Sequence, residues 1–453
     1  MVRHCIDLLR SVACLVVICL TPAWGQDVSI LRGVTLIDGT GAPHQQNVDV
    51  LVSGTTIVRV EPTGTTTAGT VHDYRGKFLL PGLISAHSHV GQVNGTSQSP
   101  ANYNRDNILR QLRQYEVYGV TTIVALGTNQ KLFYEIRKEA HDGTIPGADL
   151  FGADRGIGVR NGVPGGQVLA ATEDQIDRPG TAEQARAAVR AAKERGTDFI
   201  KMWVDDSYGT VPKMTKEVYT ATIDEAHRQG LRVTAHIFSL NDAKALVAAG
   251  VDVIAHGVRD QPVDHEFIEA MKKNSVWYIA TLGLNDAVFI FAEHPEWLDD
   301  PFFQHALQPA LKAQFADAAW REKTLAAPAT NRARDAVRMN QRNLAILHDA
   351  GVRIGFGTDS GAMPLRIPGF MEHRELALMV EAGLSPQESL AIATSGSAAL
   401  LGLDDRGTIQ AGKLADLLVL DADPAEDILN SRKIHAVWRR GKPVSGPVTG
   451  FTP

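Results

Sequence analysis

Six residues whose side chains bind metals or carry protons stand out by where they fall. His87 and His89 flank a single serine. Lys201 sits inside the apolar stretch Phe199-Ile-Lys-Met-Trp-Val204. His236 and His256 each follow a short apolar run, and Asp359 lies in Gly357-Thr-Asp-Ser-Gly361. Residues two apart in an extended segment face the same way, so the imidazoles of His87 and His89 can reach one ion. Four histidines and an aspartate, without cysteine, suit Zn²⁺ or a similar divalent cation. A lysine in an apolar stretch is rare unless it is paired or functional. Taken singly, each of these residues reads as a hydrogen-bonded core group. Taken together, they sit at the ends of successive strand-like runs, and that pattern points to a shared site.

Those runs are the elements that must position the chemistry. Strand signals fall at 83–86, 121–126, 149–153, 199–204, 232–237, 253–255, 276–282 and 353–357. Most are followed by a stretch with apolar residues at helical spacing, most clearly 181–195, 216–229, 241–249 and 263–273. Gly196, Gly230 and Gly250 mark helix stops. Such alternation predicts an α/β fold, a (β/α)8 TIM barrel in which the carboxyl ends of all strands meet on one face. The structural alternative is a doubly wound open sheet. No G-x-G-x-x-G follows the first strand, which weakens its dinucleotide-binding form.

Both flanks of the barrel read as short strands and turns, 28–77 before it and 407–438 after it, so the two chain ends are expected to build one small β-sandwich. The expected organisation is a leader at 1–25, a composite sandwich from 26–78 and 405–453, and a barrel from 79–404. The connection 283–331 is long and rich in aromatics, among them Phe289, Phe291, Trp297, Phe302, Phe303, Phe315 and Trp320. It is expected to form a lid over the barrel mouth or a contact in a homo-oligomer.

The N-terminus has the layout of a secretory signal peptide: Arg3 and Arg10, then an apolar run over 12–20, then Ala23-Trp24-Gly25 as a cleavage site. The expectation is export to the periplasm or beyond, with no membrane partner once the leader is removed. Cys5, Cys14 and Cys19 all lie in the leader. The mature chain then has no disulfide, thiolate nucleophile or cysteine ligand. With 453 residues, 44% hydrophobic and 21% charged, the protein can bury a large core. Its net charge of −6 does not suit nucleic acid; a small-molecule substrate is expected.

The motifs Leu80-Pro-Gly-Leu-Ile-Ser-Ala-His-Ser-His89, Phe199-Ile-Lys-Met202, Thr234-Ala-His236, Ile254-Ala-His-Gly257 and Gly357-Thr-Asp-Ser-Gly361 occur in this order. Together with Gly407-Thr-Ile-Gln-Ala-Gly-Lys-Leu-Ala-Asp-Leu-Leu-Val-Leu420, they resemble the amidohydrolase superfamily, in its imidazolonepropionase-like and Xaa-Pro dipeptidase-like branch. The resemblance covers nearly the whole mature chain. It implies that Lys201 is carboxylated and bridges two metals, one held by His87, His89, Lys201 and Asp359 and the other by Lys201, His236 and His256. A one-metal site with Lys201 as an amine is the alternative, and family members of both kinds exist.

The implied chemistry is attack by metal-bound hydroxide. Asp359 takes and returns the proton, and a second ion, or His256 in a one-metal site, polarises the carbonyl. The expected substrate contains an amide C–N bond, as in an N-acyl amino acid, a dipeptide or an aryl amide of the ochratoxin type. The alternatives are a cyclic amide or lactone, or a non-catalytic barrel homologue that acts as a binding protein. A deaminase is disfavoured by the fourth-strand lysine. Dipeptidase relatives carry Gly-Gly-His-Gly after the third strand, whereas here the stretch reads Gly165-Gly-Gln167, which weighs against a simple dipeptidase. Candidate substrate contacts are Arg155 and Arg160 as a carboxylate clamp, together with Gln167, Trp203 and Tyr208.

Overall fold

The computed structural model describes residues 28–165 and 174–444. The expected leader, its cysteines and Gln167 lie outside them. The first strands are β1 (Val28–Leu36), β2 (Gln45–Ser53), β3 (Thr56–Pro62), β4 (Thr70–Asp73) and β5 (Phe78–Pro81). The barrel follows with β6 (Leu83–Ser88), a small hairpin β7 (Val93–Asn94) and β8 (Ser97–Gln98), then β9 (Val120–Leu126) and β10 (Asp149–Ala153). It continues with β11 (Ile200–Trp203), β12 (Val233–His236), β13 (Val253–Ala255), β14 (Trp277–Ile279) and β15 (Arg353–Gly355). The chain ends with β16 (Leu417–Leu420), β17 (Ile434–Arg439) and β18 (Lys442–Pro443).

All eight expected barrel strands form, and they pair in parallel as two arcs, β6-β9-β10 and β11-β12-β13-β14-β15. Single parallel bridges join the arcs at both seams, Ala153 to Phe199 and Ser88 to Ser360. The seam between β6 and the segment after β15 carries further backbone bonds. Ala86 N donates to Phe356 O at 2.8 Å and His89 N to Ser360 O at 2.7 Å. Every residue of β6 and β9 is buried, as strands covered on both faces require.

The intervening helices begin where a short polar side chain can cap them. Thr181, Thr215, Ser239 and Asp264 each accept a hydrogen bond from a backbone N–H in the first turn, for the helices Ala182–Glu194, Lys216–Arg228, Leu240–Ala248 and His265–Lys273. Gly196, Gly230 and Gly250 follow three of these helices at φ +86°, +68° and +92°, as the stop signals predict.

The chain ends build one continuous eight-stranded sheet, ordered β18-β17-β16-β5-β1-β2-β3, with β4 beside β1. It curls back on itself: at its β3 edge, Ile57 N donates to Lys413 O at 2.8 Å, in the run that leads into β16. Leu31, Val50, Ile57, Leu79, Val419 and Trp438 share its private core. A boundary at 78/79 would cut β5, which pairs with both β1 and β16.

The aromatic connection after β14 is a run of short helices, Gly283–Asp286 through Ala318–Ala326, leading into the helix Pro328–Asp349. Phe291, Phe303 and Phe315 stack on one another at centroid separations of 4.8–5.9 Å, and Phe303 lies 4.6 Å from Phe370. All four are 2% exposed or less. Lifting them off would cost about 1.5–3 kcal/mol per ring. They belong to the main hydrophobic core. No helix among the described residues is long and apolar enough to cross a membrane.

A buried ionic network ties the barrel to the sheet. The Asp149 carboxylate is fully buried and meets Arg406 at 2.8 Å, with Arg439 and Arg440 each at 3.8 Å. Arg439 also binds Asp416, just before β16. Breaking such a pair by removing one partner strands a charge in low dielectric. Arg406→Leu is expected to lower stability by about 3 kcal/mol in denaturant unfolding. Arg338→Leu, at an exposed pair with Asp335, should change it little. Equal small effects would show that the network does not hold the two parts together.

Candidate metal centre

The barrel brings the expected ligands to one place. His87 lies within β6 and His89 just beyond it, Lys201 is in β11, His236 ends β12, and His256 follows β13. Asp359 lies beyond β15, at φ +60°, and His256 is at φ +74°. Non-glycine residues held in the left-handed region cluster at functional sites.

One ligand atom each from His87, His89 and Asp359 lie within 4.8 Å of one another. Asp359 Oδ1 is 3.3 Å from His87 Nε2 and 3.0 Å from His89 Nε2. Lys201 Nζ is 3.5 Å from His87 Nε2. The His256 ring sits between two others, 4.4 Å from His87 and 4.5 Å from His236 by centroid. These residues, His87 excepted, line a cavity of about 250 Å³ together with Trp203, Phe238, Leu284 and Met363.

The electrostatics of this cluster suit a cation. Burial, with Lys201 close by, pushes His87 down to about 3. Burial also lowers His236 and drives His256 well below the usual range, helped by the neighbouring His87. Burial would raise Asp359, but Arg366 and the two imidazoles outweigh it and hold the carboxyl well below its usual value. His87, His236 and His256 are therefore neutral imidazoles and Asp359 a carboxylate, the protonation states that a bound metal demands. Burial pushes Lys201 down to about 7, so its amine loses its proton as the pH rises through neutrality. Lys201 is 0% exposed and makes no ion pair among the described residues.

Neighbouring groups set the tautomers. Thr281 Oγ donates to Ala280 O at 2.8 Å, so its lone pair accepts from His256 Nδ1 at 3.1 Å. That leaves His256 Nε2 as the nitrogen with a free lone pair. Asp205 lies 2.9 Å from His236 Nε2, which leaves Nδ1 as the donor atom there.

The Asp359 loop is clamped from behind. Buried Glu372 accepts from Thr358 Oγ at 2.7 Å, Ser360 Oγ at 2.6 Å and Gly369 N at 2.8 Å. A Cβ on Gly357 would lie 2.6 Å from the His87 Cβ and 2.8 Å from its backbone N, so only glycine permits this approach.

Several residues of the site were not expected. Arg366 binds the second Asp359 oxygen, and Asp205, Thr281, Glu372 and Arg259 complete the surroundings. Arg259 had a sequence signal, a charge three residues past His256 in Ile254-Ala-His-Gly-Val-Arg259. Arg366 and Glu372 had none, because each meets Asp359 or its loop only through the fold. Of the expected substrate contacts, Trp203 and Tyr208 line the cavity. Trp203 packs under Lys201 Nζ, 5.5 Å from its ring. Tyr208 is 63% exposed and meets Phe238 edge-on at 4.7 Å. Arg155 does not reach the site. It faces Asp177 at 3.7 Å and lines a separate cavity with Tyr134 and Arg195. Arg160 is exposed and does not line the cavity. Neither arginine of the expected clamp lines the cavity that holds Asp359.

Residues 78–444 match the Amidohydrolase family. An uncharacterised protein of Mycobacterium tuberculosis is 28% identical over 415 residues, covering 87% of this chain and 92% of that one. A 5-methylthioadenosine/S-adenosylhomocysteine deaminase of Bacillus cereus is 24% identical over 406 residues, covering 83% and 81%. A solved Xaa-Pro dipeptidase with methionine bound in the active site superposes with a TM-score of 0.72 at 24% identity, over 92% of this chain and all of that one. This last likeness bears on the fold.

Thr281→Val removes the acceptor for His256 Nδ1, and metal affinity should fall about 10–100-fold in a competition titration against a chromogenic chelator, with the fold retained. Unaltered affinity would remove His256 from the ligand set.

Proposed function

The chain belongs to the amidohydrolase family, and on that premise we propose that it is a metal-dependent hydrolase of an amide C–N bond in a small molecule. The substrates we have in view are an N-acyl amino acid, a dipeptide or an aryl amide. The observation that carries this reading is the convergence of His87, His89 and Asp359 within 4.8 Å, with the buried Lys201 amine beside them. We read the site as holding zinc, with His87, His89, Lys201 and Asp359 around one ion and Lys201, His236 and His256 around a second.

A divalent cation held there would lower the pKa of water towards neutrality and polarise a carbonyl. The chain's own groups do the rest. Asp359 is placed to receive the proton of the attacking water and return it to the departing nitrogen. Arg366, on its second oxygen, keeps it ionised until then. The Thr281 contact leaves His256 Nε2 without a proton, which favours a ligand role for His256 over hydrogen-bond donation to the carbonyl. Trp203 and Phe238 give the cavity apolar walls, which exclude water around the bound amide.

Lys201 favours amide hydrolysis over deamination. A fully buried amine without a carboxylate partner is costly, whereas its carbamate would be an anion suited to help hold a cation. A spectrum recorded with ¹³C-labelled bicarbonate should show one carbamate carbon that is missing from Lys201→Met. No such signal in metal-loaded protein would leave Lys201 an amine in a one-metal site.

Asp359→Asn should keep the wild-type circular dichroism while kcat on the best amide of a panel falls by about 10²–10⁴-fold. The panel is N-acyl amino acids, dipeptides and aryl amides, with an adenosine-type amine added. Wild-type turnover by Asp359→Asn would remove its role, and ammonia release from the amine alone would replace the amide reading with deamination.

A further inference from the structure

Arg259 is a buried charge in the wall of the cavity that no carboxylate among the described residues touches. It is 7% exposed and lines the same space as His89 and Asp359. One amino nitrogen donates to Ile237 O at 2.7 Å and the other to Asn285 Oδ1 at 3.2 Å. Both acceptors are neutral. Its Nε–H is buried and has no partner. The guanidinium packs 5.2 Å from the Phe238 ring centroid, and among the described residues it makes no ion pair. Of the two nearby carboxylates, Asp359 is in contact with Arg366, and Asp205, hydrogen-bonded to His236, acts on Arg259 only from beyond ion-pair distance.

A guanidinium stays charged in proteins, and burying one with no carboxylate in contact is unfavourable. Arg366, in the same cavity, shows the contrast, because Asp359 neutralises it. The neutral contacts to Ile237 and Asn285 fix the orientation of Arg259 but supply no negative charge. An anion entering the cavity would place a negative charge in direct contact and take up the idle Nε–H. The apolar side chains Trp203, Leu284 and Met363 around the rest of the space suit the uncharged part of such a molecule.

We propose that Arg259 is the receptor for a carboxylate on the substrate. This rests on the amide-hydrolase reading for what is cleaved, and it narrows the class. The substrate is an amide that bears a free carboxylate, an N-acyl amino acid or dipeptide, in preference to an uncharged aryl amide. Arg259 takes the part that the sequence suggested for Arg155 and Arg160.

Binding tests this without turnover. Calorimetry on the purified metalloprotein compares an N-benzenesulfonyl amino acid, which carries a free carboxylate and no cleavable amide, with its carboxamide. The wild type should prefer the carboxylate by about ten- to a hundred-fold, the span of a charge-assisted hydrogen bond. Arg259→Met should collapse that ratio towards one, and Arg259→Lys should restore part of it. Metal content and melting temperature of each variant are measured alongside, so that loss of fold is not read as loss of recognition. A ratio near one in the wild type, or one that survives in Arg259→Met, overturns the proposal. An Arg259-dependent preference in a protein that hydrolyses no amide of the panel would sustain the carboxylate site and remove the amide-hydrolase reading instead.

Discussion

The His87 carbonyl accepts two backbone N–H bonds, from Thr358 at 3.0 Å and Asp359 at 2.9 Å, and the site depends on that seam. It lies where the first barrel strand meets the segment after the last, far apart in sequence. Once these bonds form, three ligand side chains have little freedom left to miss one another. The seam tolerates no side chain at Gly357, and Glu372 grips Thr358 and Ser360 on either side of Asp359. The strained backbone of Asp359 is therefore held from both directions. Strain of this kind, about 1–3 kcal/mol per residue, persists only where the surroundings over-determine it.

The second constraint is electrostatic. Four imidazoles and an amine share a buried space with the Asp359 carboxylate, so the imidazoles cannot all be charged. Burial and mutual repulsion keep His87 and His256 neutral, which leaves lone pairs facing a common centre. The surrounding groups sharpen this by setting tautomers, Thr281 for His256 and Asp205 for His236. Arg366 then keeps the carboxylate ionised against the pull of burial. Stability is given up here and recovered elsewhere, in the apolar strands and in the aromatic cluster around Phe291, Phe303 and Phe370. That cluster steadies the helix Phe370–Glu381, which carries Glu372, so the insertion serves the site from a distance.

Amphipathic period, strand ends and glycine stops are properties of neighbouring residues, and they were legible in the chain alone. The eight strands, the helical stretches 181–195, 216–229 and 241–249, and the meeting of His87, His89, Lys201, His236, His256 and Asp359 all follow from local pattern and barrel geometry. A β-strand carries its side-chain direction with it, so a ligand at a strand tip is aimed by its own segment. The tertiary structure alone decided which charges find each other. Arg366 reaches Asp359, Arg155 turns to Asp177, Arg259 is left with neutral partners, and the aromatic insertion packs inward. Those outcomes depend on loop paths and on long side chains with many rotamers, whose partners are chosen by proximity across the fold, which the order of residues along the chain does not encode locally.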